Sequence, residues 1–180
     1  MATLIALLRG INLGSRNRIA MPALREALTG AGFENVRTYV QSGNIVLETT
    51  LKPPALERRI EELIAKRFGL EIPVVARTRG ELAKVVDFNP LARVAANPKR
   101  YQVAFLSAPL APDVVEQLEA AVIPPEQLAI QGREIYSWHA EGIARSKLWN
   151  AVASKGLGVK TTARNWTTVT TLLQMADGEA

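Results

Sequence analysis

The chain has 180 residues, with 22 Lys and Arg against 17 Asp and Glu, a net charge of +5 and 48% hydrophobic residues. That is material for a real core rather than a disordered chain, in one domain or two small joined halves. With no cysteine and one histidine (His139), disulfides, zinc–thiolate and iron–sulfur sites and a thiol nucleophile are excluded, and a His-based metal site or triad is not expected.

The first apolar run, Thr3 to Leu8, has no basic stretch before it and no small-residue cleavage site after it. It reads as a central strand buried on both faces, not as a signal peptide. No segment approaches ~18 uncharged apolar residues, so a cytoplasmic protein without a membrane span is expected. A polar loop from Gly10 to Arg18 follows, and Pro22 opens a helix with Leu24 and Leu28 inward and Gly32 as its stop. Residues 36–40 and 44–48 read as two strands joined through Gln41-Ser42-Gly43, a hairpin connection. After Pro53-Pro54, Leu56, Ile60, Leu63, Ile64 and Phe68 form a helical stripe ended by Gly69. Residues 72–77 make a fourth strand, which completes βαββαβ, and residues 81–86 a short helix.

Asn89-Pro90 and Asn97-Pro98 punctuate a loop. Beyond it, residues 101–106 read as a strand, 112–122 as a helix, 127–130 and 134–138 as strands joined at Gly132, and 147–153 as a helix. The second half thus reads βαββα. Trp166, Val169, Leu172, Leu173 and Ala176 share one helical face. Against the strand preference of the surrounding threonines, the segment from Thr162 is assigned to a C-terminal helix with Thr162 as its cap. The expected fold is α+β: a duplicated ferredoxin-like pattern, with halves at 1–88 and 100–180 forming one compact unit.

Two stretches carry a family resemblance. One is Leu7-Leu8-Arg9-Gly10-Ile11-Asn12-Leu13-Gly14, continued by Arg37-Thr38-Tyr39-Val40-Gln41-Ser42-Gly43-Asn44-Ile45-Val46. The other is Thr162-Ala163-Arg164-Asn165-Trp166-Thr167-Thr168-Val169. Together they resemble the uncharacterised bacterial family known as domain of unknown function 1697. The family usually has a glycine where Ser15 stands and a threonine where Ala163 stands. The resemblance implies a compact bacterial α+β protein and supplies no activity.

Charge is unevenly spread. Residues 1–25 hold Arg9, Arg16, Arg18 and Arg25, and residues 142–176 hold Arg145, Lys147, Lys155, Lys160 and Arg164, with no acid in either segment. The leading expectation is a binding module for an anionic, phosphate-bearing ligand: a nucleotide, a phosphometabolite or nucleic acid. Its candidate residues are Arg9, Asn12, Arg16, Gln41, Ser42, Asn44, Thr162, Arg164 and Asn165. The loop is neither a dinucleotide fingerprint nor a P-loop, and the RNA-binding aromatic motif is absent. The structural alternative is that Asn12 and Asn17 bond their own backbone in a bent connection and that Gln41 to Asn44 is a plain turn. Arg164, expected in the first turn of a helix, opposes the helix dipole and so calls for a partner. His139 is read as structural or exposed, and Glu57, Glu61 and Glu62 as a solvated helix face. A metal-independent enzyme and a structural homo-oligomer, a homodimer paired through an open sheet edge, are the competing readings. No metal or cofactor is expected.

Overall fold

A computed structural model describes residues 1–179; Ala180, the end of the expected second half, lies outside them. Among the described residues the chain is mixed α+β, with two four-stranded antiparallel sheets and six α-helices. It divides into two units: residues 1–83 together with the stretch from Thr171, and residues 84–170. Among the described residues, no helix is long and apolar enough to cross a membrane.

In the first unit, β1 (Ala2–Leu8), α1 (Met21–Gly30), β2 (Glu34–Tyr39), β3 (Asn44–Thr49), α2 (Pro53–Phe68) and β4 (Val74–Thr78) follow in order. Their sheet runs β2-β3-β1-β4, every neighbour antiparallel. Strand alternation sends Leu4, Ala6 and Leu8 into the core under the helices, with Ile45, Leu47, Val74 and Ala76 beside them. Ile5, Leu7, Val46 and Val75 on the opposite face are buried too, which is why β1 is apolar without a break. Helix α1 contributes Met21, Leu24 and Leu28, and α2 contributes Leu56, Ile60 and Ile64 at four-residue spacing. Each α2 contact of this kind, truncated to alanine, costs about 2–5 kcal/mol.

The carboxylates of α2 are not merely solvated. β4 is an edge strand, and its outward N–H groups belong to alternate residues. Val74 N–H donates to Glu61 Oε1 at 3.0 Å, Ala76 N–H to Glu57 Oε1 at 2.8 Å and Thr78 N–H to Glu81 Oε2 at 2.8 Å. Three glutamates thus occupy the free edge of the sheet, where an unpaired strand otherwise invites another chain. The expected solvated face is corrected for Glu57 and Glu61; Glu62 is exposed. Glu81 N–H donates back to Thr78 Oγ1, a capping box that starts α3 (Arg79–Phe88). The C-terminal stretch is held within the first unit by Arg37 Nη1 donating to Met175 O and by a two-pronged Arg79–Asp177 pair.

The second unit has β5 (Tyr101–Leu106), α4 (Pro112–Ala120), β6 (Gln127–Gln131), β7 (Glu134–Trp138), α5 (Lys147–Val152) and β8 (Thr161–Asn165), in a sheet ordered β6-β7-β5-β8. Its core holds Ala104, Leu106, Leu118, Ile135, Leu148, Val152 and Leu157. Here one expectation is overturned. Residues 161–165 are a strand, paired antiparallel with β5 from Leu106↔Thr161 to Gln102↔Asn165, and not the start of a helix. Helix α6 (Trp166–Ala176) begins later, and its cap is Asn165, whose Oδ1 accepts from Thr168 N–H at 2.9 Å. The strand preference of Thr161 and Thr162 wins where β5 supplies a partner. Inside α6, Thr170 Oγ1 satisfies itself on the Trp166 and Thr167 carbonyls.

Candidate functional site

The β1–α1 loop is held by its asparagines. Asn12 Nδ2 donates to Ile19 O at 2.9 Å and to Gln41 O at 2.7 Å, while Asn12 Oδ1 accepts from Ile19 N–H at 2.9 Å. Asn17 Nδ2 donates to Gly10 O, and Asn12 N–H to Asn17 O. Both asparagines sit in the left-handed region, at φ 53° and 49°, which this residue type tolerates better than most. The loop is therefore closed on itself and joined to the β2–β3 turn through Gln41.

That turn is equally constrained. Leu8 N–H donates to Gly43 O at 2.9 Å. Gly43 has φ +81°, and a Cβ there would lie 2.6 Å from Leu8 Cβ and 3.0 Å from Ile11 Cδ1, so only glycine fits. Buried Asn44 donates through Nδ2 to Tyr39 O and Ser42 Oγ. Val40 is 52% exposed at φ 50°, a costly conformation for a β-branched residue.

The structure thus brings Asn12, Gln41, Ser42 and Asn44 together, with Arg9 and Arg16 on the same loop. The amide groups of Asn12 and Asn44 are engaged in holding the backbone. Arg16 and Arg18 are exposed, and Arg9, half-buried, donates its N–H to Pro73 O. Thr162, Arg164 and Asn165 lie on β8 of the second unit. Arg164 is 8% exposed, and its Nη1 donates to Thr162 Oγ1 at 2.7 Å and Ala163 O at 2.8 Å. Burial pulls its pKa down to about 10. Because it sits on a strand, the expected conflict with a helix dipole does not arise.

Two features escape a reading of the sequence. The first is Arg77 on β4, 1% exposed, whose Nη1 donates to Ala76 O at 2.9 Å. Arg77 pairs with Ile5 of β1 as Arg164 pairs with Val103 of β5. Each arginine follows an alanine on the last strand of its unit and precedes a residue that caps a helix. The signal was Ala76-Arg77-Thr78 against Ala163-Arg164-Asn165.

The second is a polar chain around His139, which is fully buried. Its Nδ1 lies 2.6 Å from Glu126 Oε2 and 3.1 Å from Ser146 Oγ, and its Nε2 lies 2.8 Å from Ser137 Oγ. Ser146 Oγ donates to Glu126 Oε2 at 2.5 Å and accepts from Trp149 N–H. With the carboxylate at Nδ1, the neutral ring carries its proton there and accepts from Ser137 at Nε2. Burial lowers the His139 pKa, and the hydrogen bond and charge of Glu126 oppose that only in part.

Fold and site together define a mixed α+β protein with two antiparallel sheets, an asparagine-clamped basic loop and buried arginines. The chain belongs to the family described as protein of unknown function (DUF1697), whose model matches residues 1–136. The Arg9 loop and the hairpin fall inside that match and the Thr162–Val169 stretch outside it. The chain is similar to the solved structure of the conserved bacterial protein SP0830 from Streptococcus pneumoniae, with a TM-score of 0.74 and 24% identity over 97% of this chain and 98% of that one. At that identity the likeness concerns the fold alone. No curated protein matches the sequence.

Proposed function

We propose that the protein is a binding module for an anionic, phosphate-bearing ligand, with the β1–α1 loop and the β2–β3 turn as its binding surface. The observation that carries this reading is the Asn12 clamp. It makes three hydrogen bonds, so the loop that displays Arg16 and Arg18 is ordered before any ligand arrives, and little entropy is lost on binding. No carboxylate lies in residues 1–25 to compete for these guanidinium groups. Arginine suits phosphate because its donors form a planar fork. Arg164 and Thr162 serve this reading as the framework of β8, and Asn165 as a helix cap. Each half is read as a ferredoxin-like unit, on the strength of its βαββαβ order and its sheet order, in a bacterial cytoplasmic protein.

The test is fluorescence anisotropy or calorimetry with a labelled single-stranded oligonucleotide, ATP and inorganic phosphate over a salt series. Binding should weaken with salt. Arg16→Ala or Arg18→Ala should each cost about tenfold, as expected for one charge-assisted contact. A flat signal for every anion refutes the proposal. The homo-oligomer reading would then stand, with size-exclusion at two concentrations as its measurement.

A further inference from the structure

A second site, independent of the basic loop, is carried by the Glu126–His139–Ser146 chain. A cavity of about 460 Å³ lies beside it in the second unit, lined by Glu126, Ser146, Arg145, Lys147 and Glu141, with Ile123, Pro124 and Pro125 as its apolar wall. That volume is within the range of small-molecule sites, roughly 300–1,000 Å³. The two oxygens of Glu126 are in different situations. Oε2 takes both internal donors, from His139 and from Ser146, at 2.6 and 2.5 Å. Oε1 has no hydrogen-bond partner among the described residues.

Ser146 is flanked in sequence by Arg145 and Lys147, both exposed, and neither pairs with Glu126. Consecutive Cα atoms are ~3.8 Å apart. Two cationic side chains therefore start one residue from a hydroxyl that touches the carboxylate. A carboxylate held rigid from behind by a histidine and a serine, with an open oxygen and two uncommitted cations alongside, presents both signs of charge within one small cavity. A simple anion would meet Glu126 and a simple cation would meet Arg145 and Lys147. A ligand that carries both charges close together satisfies both.

We infer that this cavity binds a free α-amino acid, its ammonium group on Glu126 Oε1 and its carboxylate on Arg145 and Lys147. His139 acts here as a positioning residue: it fixes the Glu126 carboxylate and touches no ligand. The apolar wall at Ile123 and Pro125 receives the side chain, so aliphatic amino acids are preferred over acidic ones.

The experiment is a titration of the full isotope-labelled chain, followed by amide chemical shifts. The twenty standard α-amino acids are added separately, with ethylammonium chloride and sodium acetate as single-charge halves. Saturable shifts are expected at residues 123–126 and 140–147, with at least one amino acid bound tenfold or more tightly than either half. Glu126→Gln keeps the size and an acceptor for Ser146 and His139, and should weaken amino-acid binding at least tenfold. Arg145→Ala with Lys147→Ala, both surface changes that the fold tolerates, should weaken the amino acid severalfold and leave ethylammonium bound at least as tightly, because two repelling charges are gone. No saturable shift at those residues with any amino acid overturns the inference. So does amino-acid binding that is unchanged in Glu126→Gln or, should that variant not fold, in the double surface variant.

Discussion

Asn12→Ala is the substitution that most directly tests how the basic loop is built. It removes the two Nδ2 donations, to Ile19 O and Gln41 O, and the Oδ1 acceptor of Ile19 N–H. A hydrogen bond of this kind is worth about 1 kcal/mol net. The contact to Gln41 is exposed and water replaces part of it. Ile19, in contrast, is buried, so its orphaned groups sit at the upper end of that range. Position 12 also has φ 53°, which alanine occupies at a cost of about 1 kcal/mol or more. The sum is about 3–4 kcal/mol, which for a chain of this size lowers the melting temperature by about 6–16 °C at roughly 2–4 °C per kcal/mol. Asn12→Gly removes the same bonds without the conformational penalty and should recover about 1 kcal/mol of the loss. Asn12→Asp is the sharper control: nearly isosteric, it sets a carboxylate oxygen against two carbonyl oxygens and should be no more stable than alanine. Calorimetric melting of the three variants reads these differences. An Asn12→Ala protein within about 0.5 kcal/mol of the parent, the ordinary range of a neutral surface change, would mean the clamp does not hold the loop.

Gly43→Ala should destabilise by more than 2 kcal/mol, because its Cβ meets Leu8 Cβ at 2.6 Å at φ +81°, a strained overpacking of the usual cost; chemical denaturation measures it, and a neutral result would show that the turn can move. His139 has a folded pKa below its ordinary 6.5, with burial the first cause and Glu126 opposing. The unfolded chain therefore binds the proton first, and stability is complete above about pH 7.5 and falls as pH drops through 6.5 toward the folded value, by at most about 1.4 kcal/mol per pH unit. Titration of the lone imidazole by NMR checks this, and a pKa at or above 6.5 contradicts it. Glu57→Ala with Glu61→Ala strips the β4 edge of two of its acceptors, so concentration-dependent association should appear in size-exclusion; a double variant that stays as monodisperse as the parent would refute the blocking role.

Local pattern carried most of the elements into view. β1 is one unbroken apolar run because both its faces are buried, α2 repeats its core residues every fourth position, and Gln41-Ser42-Gly43 marks a hairpin whose glycine has no room for a side chain. The missed strand, β8, is five residues long and amphiphilic in neither period. What makes it a strand is its register with β5, a partner some sixty residues upstream in the chain, and no local window contains that partner. The helical stripe of α6 is real, but extrapolating it back to Thr162 displaced the cap from Asn165.

The same distinction separates what was visible at the sites. The grouping of Asn12 with the Gln41 turn was accessible because β1 neighbours β3 in a βαββ unit, and sequential elements tend to be spatial neighbours. The role of Glu57 and Glu61 was not, since helical spacing reports which face a residue takes and is silent on whether a bare sheet edge lies in reach. Glu126, His139 and Ser146 come from three separate segments, and a search keyed to motif spacing passes over them. The repeated Ala-Arg step differs from all of these. Ala76-Arg77 and Ala163-Arg164 occupy matching registers on matching strands, each arginine folded back on the preceding carbonyl. Two buried guanidinium groups in equivalent places are costly to keep. Since the halves share so little else in sequence, the recurrence argues that this strand-to-helix junction requires an arginine in both. In these two places the burial of charge belongs to the strand-to-helix junctions, separate from the exposed Arg16 and Arg18 of the β1–α1 loop.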